Sequence, residues 1–589
     1  MEVIQTEVLV VGGSTGGTAA AIQAARRGVQ TLLVTEFPWL GGMLTAAGVA
    51  APDGNELAAF QTGLWGAFLR ELERRQPGGL DHAWVSFFTY DPAVGAAIFA
   101  DWARALPALA WRSGHRPRAV LHQGDRITGV QFDTFTVEAQ ITLDGTELGD
   151  LLALAEMPHR WGWEPQSDYQ EPSAPQSLSD PADPLYAVVQ RYPVQAPTWV
   201  VVMQDYGDQA APAVPAGVQP LADIAAAWAG YGRETFLNYG RLPGHRFMIN
   251  WPQQGNDYGI DLDRLIASAA ARLTFWQEAQ AYSQGFAQQL QAGLGQRYGL
   301  AQPIFPQCPG TPGGGAFALY PYYRESRRLV GLTTVTEGSI LPSGQVAPLP
   351  LNDRGEVSAI AIGNYPNDHH YPGFDFPLAP KSLRWGGRWT GTPFTIPYEA
   401  LIPAGHDGFL VCEKTLSVSH IANGATRLQP VVLGIGQAAG MAAALCVEQS
   451  RSPRDLPVRQ LQTALLTDPS APLAVIPCFN LLPDSPQWVD QQQQYLDQPE
   501  TYPPAGEIPG TTMTPAQPLA APLSGEFQRL GDQQYVLALP GRATAPALVT
   551  LRPEVNQALQ QLPDTAHVTV WGHLNPAGNW YRVSAIETP

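Results

Sequence analysis

The feature that most constrains this chain is the run Val8-Leu-Val-Val-Gly-Gly-Ser-Thr-Gly-Gly-Thr-Ala-Ala-Ala21, with an acid, Glu36, closing the next apolar run. Glu7–Val11 reads as a short buried strand and Gly12–Gly17 as a tight turn. Gly17–Arg27 reads as an alanine-rich helix stopped by Gly28, and Thr31–Thr35 as the following strand. Such a unit aims backbone N–H groups and a helix N-terminus at one point, which suits a pyrophosphate. It also sets a carboxylate where it can accept from a ribose hydroxyl. In Gly-x-Gly-x-x-Gly register the positions are Gly12, Ser14 and Gly17. Ser14 replaces the glycine that normally permits close approach, and Gly13 and Gly16 add room beside it. The expectation is a dinucleotide lacking a 2′-phosphate, which Glu36 would repel.

A chain of 589 residues exceeds one simple core, so two or three domains are expected. With 45% hydrophobic and 15% charged residues, those cores can be sizeable. A net charge of −18 disfavours nucleic acid and anionic membranes as partners. Cys308, Cys412, Cys446 and Cys478 are widely spaced with no Cys-x-x-Cys, so neither a disulfide framework nor a zinc site is expected from them. No apolar run reads as long enough to span a bilayer, and no basic-then-apolar leader opens the chain. A soluble, cytoplasmic protein is expected.

Residues 1–160 alternate helical and strand patterns. Asn55–Arg75 and Pro92–Leu106 have helical spacing. Arg118–Val137 reads as paired strands turning at Gly124-Asp125, Gln140–Glu147 as a strand, and Gly149–Ala155 as a helix. Residues 161–395 are rich in Trp, Tyr, Pro and Gln. They read as an inserted α+β substrate or cap domain with an amphipathic helix at Phe275–Leu294. The α/β pattern returns over 396–496. Residues 497–524 are proline-rich without period and read as a linker. Short strands at Tyr535–Leu539, Ala547–Leu551, His567–Trp571 and Trp580–Ile586, with a helical turn near Glu554–Leu562, suggest a small β domain over 525–589.

Two further segments bear on the dinucleotide. Trp39-Leu-Gly41-Gly42-Met43-Leu44 follows Glu36 and lets backbone approach a ligand beyond the pyrophosphate. Ser417–Ala444 reads as a loop entering a long small-residue helix. Its N-terminus could favour electron density on the pyrimidine end of a reduced flavin, or its small residues could simply allow tight packing.

Gly12–Gly17 with Glu36, Leu40-Gly41-Gly42, Asp144-Gly145-Thr146 and Gly434–Gly440 resemble FAD-dependent oxidoreductases of the glutathione-reductase/fumarate-reductase type. Thr146–Leu152, Tyr323–Arg328, Tyr365–His370, Ile396–Pro403 and Ser419–Gly440 look more closely like a largely uncharacterised subgroup sometimes labelled xanthan-lyase-like. The resemblance covers roughly residues 5–450. It implies FAD in a Rossmann-like split FAD-binding domain of the α/β class. Gly12, Ser14, Thr15 and Gly17 would meet the pyrophosphate, with Gly13 and Gly16 in the same turn. Glu36 would bind the adenosine ribose, and Gly41, Gly42, Met43 and Leu44 would flank the ribityl chain. Val120 would contact the adenine region, and Thr146, following Asp144, would close the adenine side. Gln437 and Ala438 would face the pyrimidine edge. Gly145 stands where the group more often has alanine.

No second Gly-x-Gly-x-x-Gly unit supplies a nicotinamide site, and no cysteine pair suits a disulfide reductase. The expected chemistry is hydride transfer from a small organic substrate to flavin N5, followed by reoxidation by oxygen or another acceptor. Asp368-His369-His370 is the best candidate for proton transfer. Catalysis, structural hydrogen bonding, and metal binding or covalent flavin attachment are its three readings. The resemblance favours His370. In Arg324-Glu-Ser-Arg-Arg328 the arginines could clamp a carboxylate, support reduced flavin or form an ion-pair network. Arg427 could offset flavin charge, and His420 could cap its loop. Asn250-Trp-Pro and Asn256-Asp257-Tyr258 are candidates to line the substrate cavity. The alternatives are a flavin-dependent non-redox isomerase, lyase or hydratase, and a non-enzymatic flavin-binding protein.

Overall fold

The computed structural model describes residues 2–218, 224–251, 254–511, 522–542 and 544–587. A seven-stranded sheet forms its centre. Leu109–Ser113, Thr31–Thr35, Glu2–Val11 and Phe135–Asp144 run parallel in that order. Arg126–Phe132 and Pro117–Gln123 extend it antiparallel. The strand Phe409–Val411 returns from far along the chain to pair in parallel with Thr142–Asp144. The Val8–Val11 and Thr31–Thr35 segments are wholly buried, which is why they read as continuous apolar runs rather than alternating ones.

Helix Thr15–Arg26 packs directly on helix Gln429–Gln449. A Cβ on Gly436 would lie 2.2 Å from the Gly16 carbonyl oxygen, and one on Gly440 would lie 2.2 Å from that of Ala20. Tight packing therefore accounts for the small residues of this segment. By length and composition Gln429–Gln449 could cross a bilayer, contrary to the expectation that no apolar run is long enough. Its most apolar window is 94% buried inside the protein.

The middle stretch contains a sheet ordered Tyr298–Leu300, Val201–Asp205, Arg246–Ile249, Arg241–Leu242, and the helix Ala269–Leu294. That helix starts before the expected Phe275 because Ser268 caps it, accepting from Ala271 N at 3.1 Å. Strands Ala359–Asn364 and Pro393–Pro397 pair and lie near helix Gln429–Gln449, so this part of 161–395 is built onto the dinucleotide layer.

Residues 497–511 are not a free linker. The Tyr502 hydroxyl donates to the Pro477 carbonyl, and Asn480 and Ile508 exchange hydrogen bonds of 2.9 and 2.8 Å. Lack of period hid this, because the segment is fastened by single contacts. Residues 512–521 of the expected linker lie outside the described residues, as does Pro252. A closed barrel follows, ordered Pro522–Gly531, Gln534–Ala538, Ala547–Val549, Trp580–Glu587, His567–Asn575, with helix Pro553–Gln561 between its third and fourth strands in sequence. Its first strand straddles the expected 524/525 boundary.

Candidate functional site

Gly12 adopts φ +109°, and a Cβ there would sit 2.0 Å from the Gly145 carbonyl oxygen. Only glycine lets the turn close on the loop after Phe135–Asp144. Ser14 has ordinary extended backbone and needs no glycine. Its Oγ accepts from Gly17 N at 3.1 Å and caps the helix. Thr15 Oγ1 donates to the Gly41 carbonyl at 2.9 Å and accepts from Met43 N at 3.1 Å, fixing buried Gly41–Leu44 to the helix start.

A cavity of about 340 Å³ opens in front of this turn. Gly12, Gly13, Ser14, Glu36 and Thr146 of the expected set line it together with Gly145, whereas Thr15, Gly16, Gly17 and Gly41–Leu44 do not. Arg116 and Arg118 stand on its rim, and Arg272 and Trp276 reach in from helix Ala269–Leu294. Val120 is not among the lining residues, because it pairs with Val130 inside the apolar core. Glu36 is ion-paired with Arg116, and burial pushes its carboxyl up against that pull. Asp144 holds the loop rather than lining the cavity. Its Oδ1 accepts from Thr146 N at 2.8 Å and Thr146 Oγ1 at 2.6 Å, and burial pushes it up to about 7.

One acid escaped the sequence reading. Glu413 Oε2 accepts from Gly16 N at 2.7 Å, in the first turn of the glycine-rich helix. Lys414 contacts both Glu413 and Glu147. The available signal was position, since Glu413 follows a parallel strand at the same sheet edge where Asp144 ends its own. Gln437 and Ala438 do not line this cavity. They lie well inside helix Gln429–Gln449, both fully buried, and the Gln437 amide spans Leu64 N (2.8 Å) and the Ala471 carbonyl (2.7 Å). The helix start itself is Gln429-Pro430, directly after Arg427 and Leu428.

The other named residues form two networks. In the first, His370 Nδ1 lies 2.9 Å from Asp257 Oδ2 and its Nε2 lies 2.8 Å from Asp368 Oδ2. Arg324 pairs with Asp257 at 3.0 Å and donates to Asn250 Oδ1 at 3.2 Å. Arg427 donates to the Tyr322 hydroxyl at 2.7 Å and reaches Asp368 Oδ2 at 3.3 Å. His370 and Arg427 together hold the Asp368 carboxyl far below the usual range, against the cost of burial. Asp368 sits in a crowded part of the fold, yet 41% of its side-chain surface is accessible, so it faces a recess that solvent enters.

His369 turns the other way. Its Nε2 donates to the Ile421 carbonyl at 2.9 Å and its Nδ1 meets the Tyr371 hydroxyl at 2.8 Å. That hydroxyl meets His420 Nε2 at 2.5 Å, and His420 Nδ1 meets Glu325 Oε1 at 2.8 Å. Of the other arginines in the cluster, Arg327 lines the cavity before the glycine turn and Arg328 lies in an ion-pair network. Arg327 binds Leu148 O and Asp150, and Arg328 binds Glu164 and Glu325. Asn256 is fully buried and bonds Trp251 N, while Tyr258 bonds Glu278, so of that triplet Asp257 alone joins the His370 network.

A family described as FAD dependent oxidoreductase matches residues 7–465. The chain belongs to that family. FAD is the cofactor of this oxidoreductase, and the glycine turn, its cavity, Glu36 and the Gly145-Thr146 loop fit the adenosine diphosphate half of that molecule. Partial likenesses to solved structures are too slight to add to the argument. Thermovibrio ammonificans THI4 is 15% identical, covering 27% of this chain and 67% of that one, with a TM-score of 0.22. The myxobacterial FAD-dependent halogenase CndH is 14% identical, covering 36% and 46%, with a TM-score of 0.23. Aquifex aeolicus GidA is 16% identical, covering 24% of each chain, with a TM-score of 0.18.

Proposed function

We propose that this oxidoreductase oxidises a small hydroxyl- or amine-bearing organic compound in the recess faced by Asp368, with oxygen or another acceptor completing the cycle. Bound FAD supplies the hydride acceptor, its N5. Asp368 carries the reading, because a strongly ionised carboxylate, accessible from that recess and fixed from behind by His370 and Arg427, accepts the O–H or N–H of a substrate. His370 has both ring nitrogens against carboxylates, so it orients Asp368 instead of serving as the free base expected from the sequence. Arg324 completes this support through Asp257. A cytoplasmic location belongs to the same proposal and is supported by four unpaired cysteines, three of them buried.

The test is anaerobic mixing of FAD-loaded protein with a panel of alcohols and amines, followed at the flavin absorbance. Bleaching by one chemical class, lost in Asp368→Asn with FAD content retained, is the expected result. Turnover at constant flavin colour would replace this reading with the non-redox one.

A further inference from the structure

Asp53 belongs to none of the networks above. It opens the turn Asp53-Gly54-Asn55, in which Gly54 has φ +88° and Asn55, a non-glycine residue, φ +44°. Asn55 clamps this strained turn to strand Ala359–Asn364, its N donating to Asn364 O at 3.2 Å and its Nδ2 to Ile362 O at 2.9 Å. The Gly54 face packs towards Tyr365 and Leu428, the neighbours in sequence of the Asp368 segment and of Arg427. This packing sets Asp53 beside the Asp368 segment. Asp53 lies deep in the fold and is only partly covered. Among the described residues no hydrogen bond or ion pair fixes its carboxyl. Tyr239 and Tyr365, likewise deep and partly accessible, both feel the charges of Asp53 and Asp368.

Two neighbouring carboxyls thus have opposed surroundings. Asp368 is tied to His370 and Arg427. Asp53 faces Glu56 and Asp368, which disfavour its ionisation, and is drawn the other way by Arg388 and Arg427. Burial and the two acids prevail and push it well up. Two carboxyls pushed apart by their environments divide the labour of binding and proton exchange.

We propose that Asp53 is the catalytic residue that exchanges a proton with substrate in this recess. The inference rests on the oxidation reading. As the C–H electron pair leaves with its hydrogen as hydride for the flavin, the O–H or N–H proton passes to the Asp53 carboxylate, and the substrate departs as a carbonyl compound or imine. Asp53 must be ionised to receive that proton, so the rate rises with pH through a value above the ordinary carboxylate range.

Infrared spectroscopy of the FAD-loaded protein tests the proton carrier directly. The expected result is a carboxylic-acid C=O band present in wild type, absent in Asp53→Asn, and fading as pH rises. Arg388→Gln, which removes one of the cations drawing Asp53 towards ionisation, moves that fading to higher pH. No band lost in Asp53→Asn, or a titration unmoved in Arg388→Gln, overturns the proposal even if one variant loses FAD. Flavin reduction by the alcohol or amine that bleaches wild type is expected to slow by about 100-fold or more in Asp53→Asn and to recover in part in Asp53→Glu. Reduction at the wild-type rate in Asp53→Asn, with FAD retained, also overturns it. A wild type reduced by no panel compound counts against the oxidation reading alone, because the infrared result stands without a substrate.

Discussion

Gly145 illustrates how a single atom decides what this site tolerates. A Cβ on Gly145 would lie 2.6 Å from the Gly17 Cα. Gly145→Ala is therefore expected to destabilise the FAD-loaded protein by about 1–3 kcal/mol, read as a lower melting temperature. An unchanged melting temperature would show that the loop yields freely. Glu36 offers a second test. Its replacement by Gln removes the charge that holds Arg116 and weakens the bond to ribose, so FAD affinity should fall about tenfold, or ~1.4 kcal/mol, in a flavin-fluorescence titration. The glycine turn and the cavity before it were legible because they are built from local backbone turns that glycines announce. Glu413 and Asp53 were not, because each reaches its place through contacts hundreds of residues away in sequence, with Gly16 and with the 359–364 strand.

Elements show the same division between what periodicity reveals and what it hides. The helix Pro92–Arg104 and the hairpin at Gly124-Asp125 follow from spacing and turn chemistry. The extended segment Asp368–Tyr371 has no such signal, yet it carries both networks, sending His370 to one side and His369 to the other. The second network sets a proton count. The hydrogen bonds linking Glu325, His420, Tyr371, His369 and the Ile421 carbonyl number four, whereas a carboxylate, two neutral imidazoles and a phenol bring three protons. All four bonds form only if the chain holds one more proton. Burial places it on Glu325, pushed up to about 7 despite Arg328, while His369 is pushed down to about 3 and His420 well down. A carboxyl whose folded value is raised binds more protons folded than unfolded. Its stabilisation is complete below the ordinary glutamate value and is lost as pH rises towards about 7. Across that window the slope from Glu325 is about 1.4 kcal/mol per pH unit. Glu325→Gln should flatten the decline of melting temperature with pH relative to wild type. Parallel curves would refute the protonated chain.

At the scale of the whole molecule, the C-terminal barrel has the arrangement of an OB-type fold, in which the second and third strands and the loops between strands one and two and strands four and five commonly hold ligands. Here those loops grip the chain's own body. Gln533, from the first of them, donates to Arg384 O and accepts from Gly386 N, and Gly386 O accepts from Thr550 N at 2.8 Å. At the other, buried Asp81 accepts from Asn575 Nδ2 at 2.6 Å and Trp580 Nε1 at 3.2 Å, with Arg582 3.6 Å away. Between these anchors the Arg388 guanidinium lies over Phe87 at 4.4 Å and Trp580 at 5.0 Å. The barrel thus helps seat the Arg388 cation, whose charge draws Asp53 towards ionisation. Removing Asp81 leaves buried donors unmatched, at a cost of about 3 kcal/mol. In calorimetry, Asp81→Ala should split off an early transition for the barrel, and hydrogen exchange should rise at 382–391 but not at Thr15–Arg26. A single transition at the wild-type temperature would mean that the barrel is held elsewhere. If the early transition appears, the infrared titration of Asp53 should shift in the same variant, because Arg388 then loses its aromatic seat.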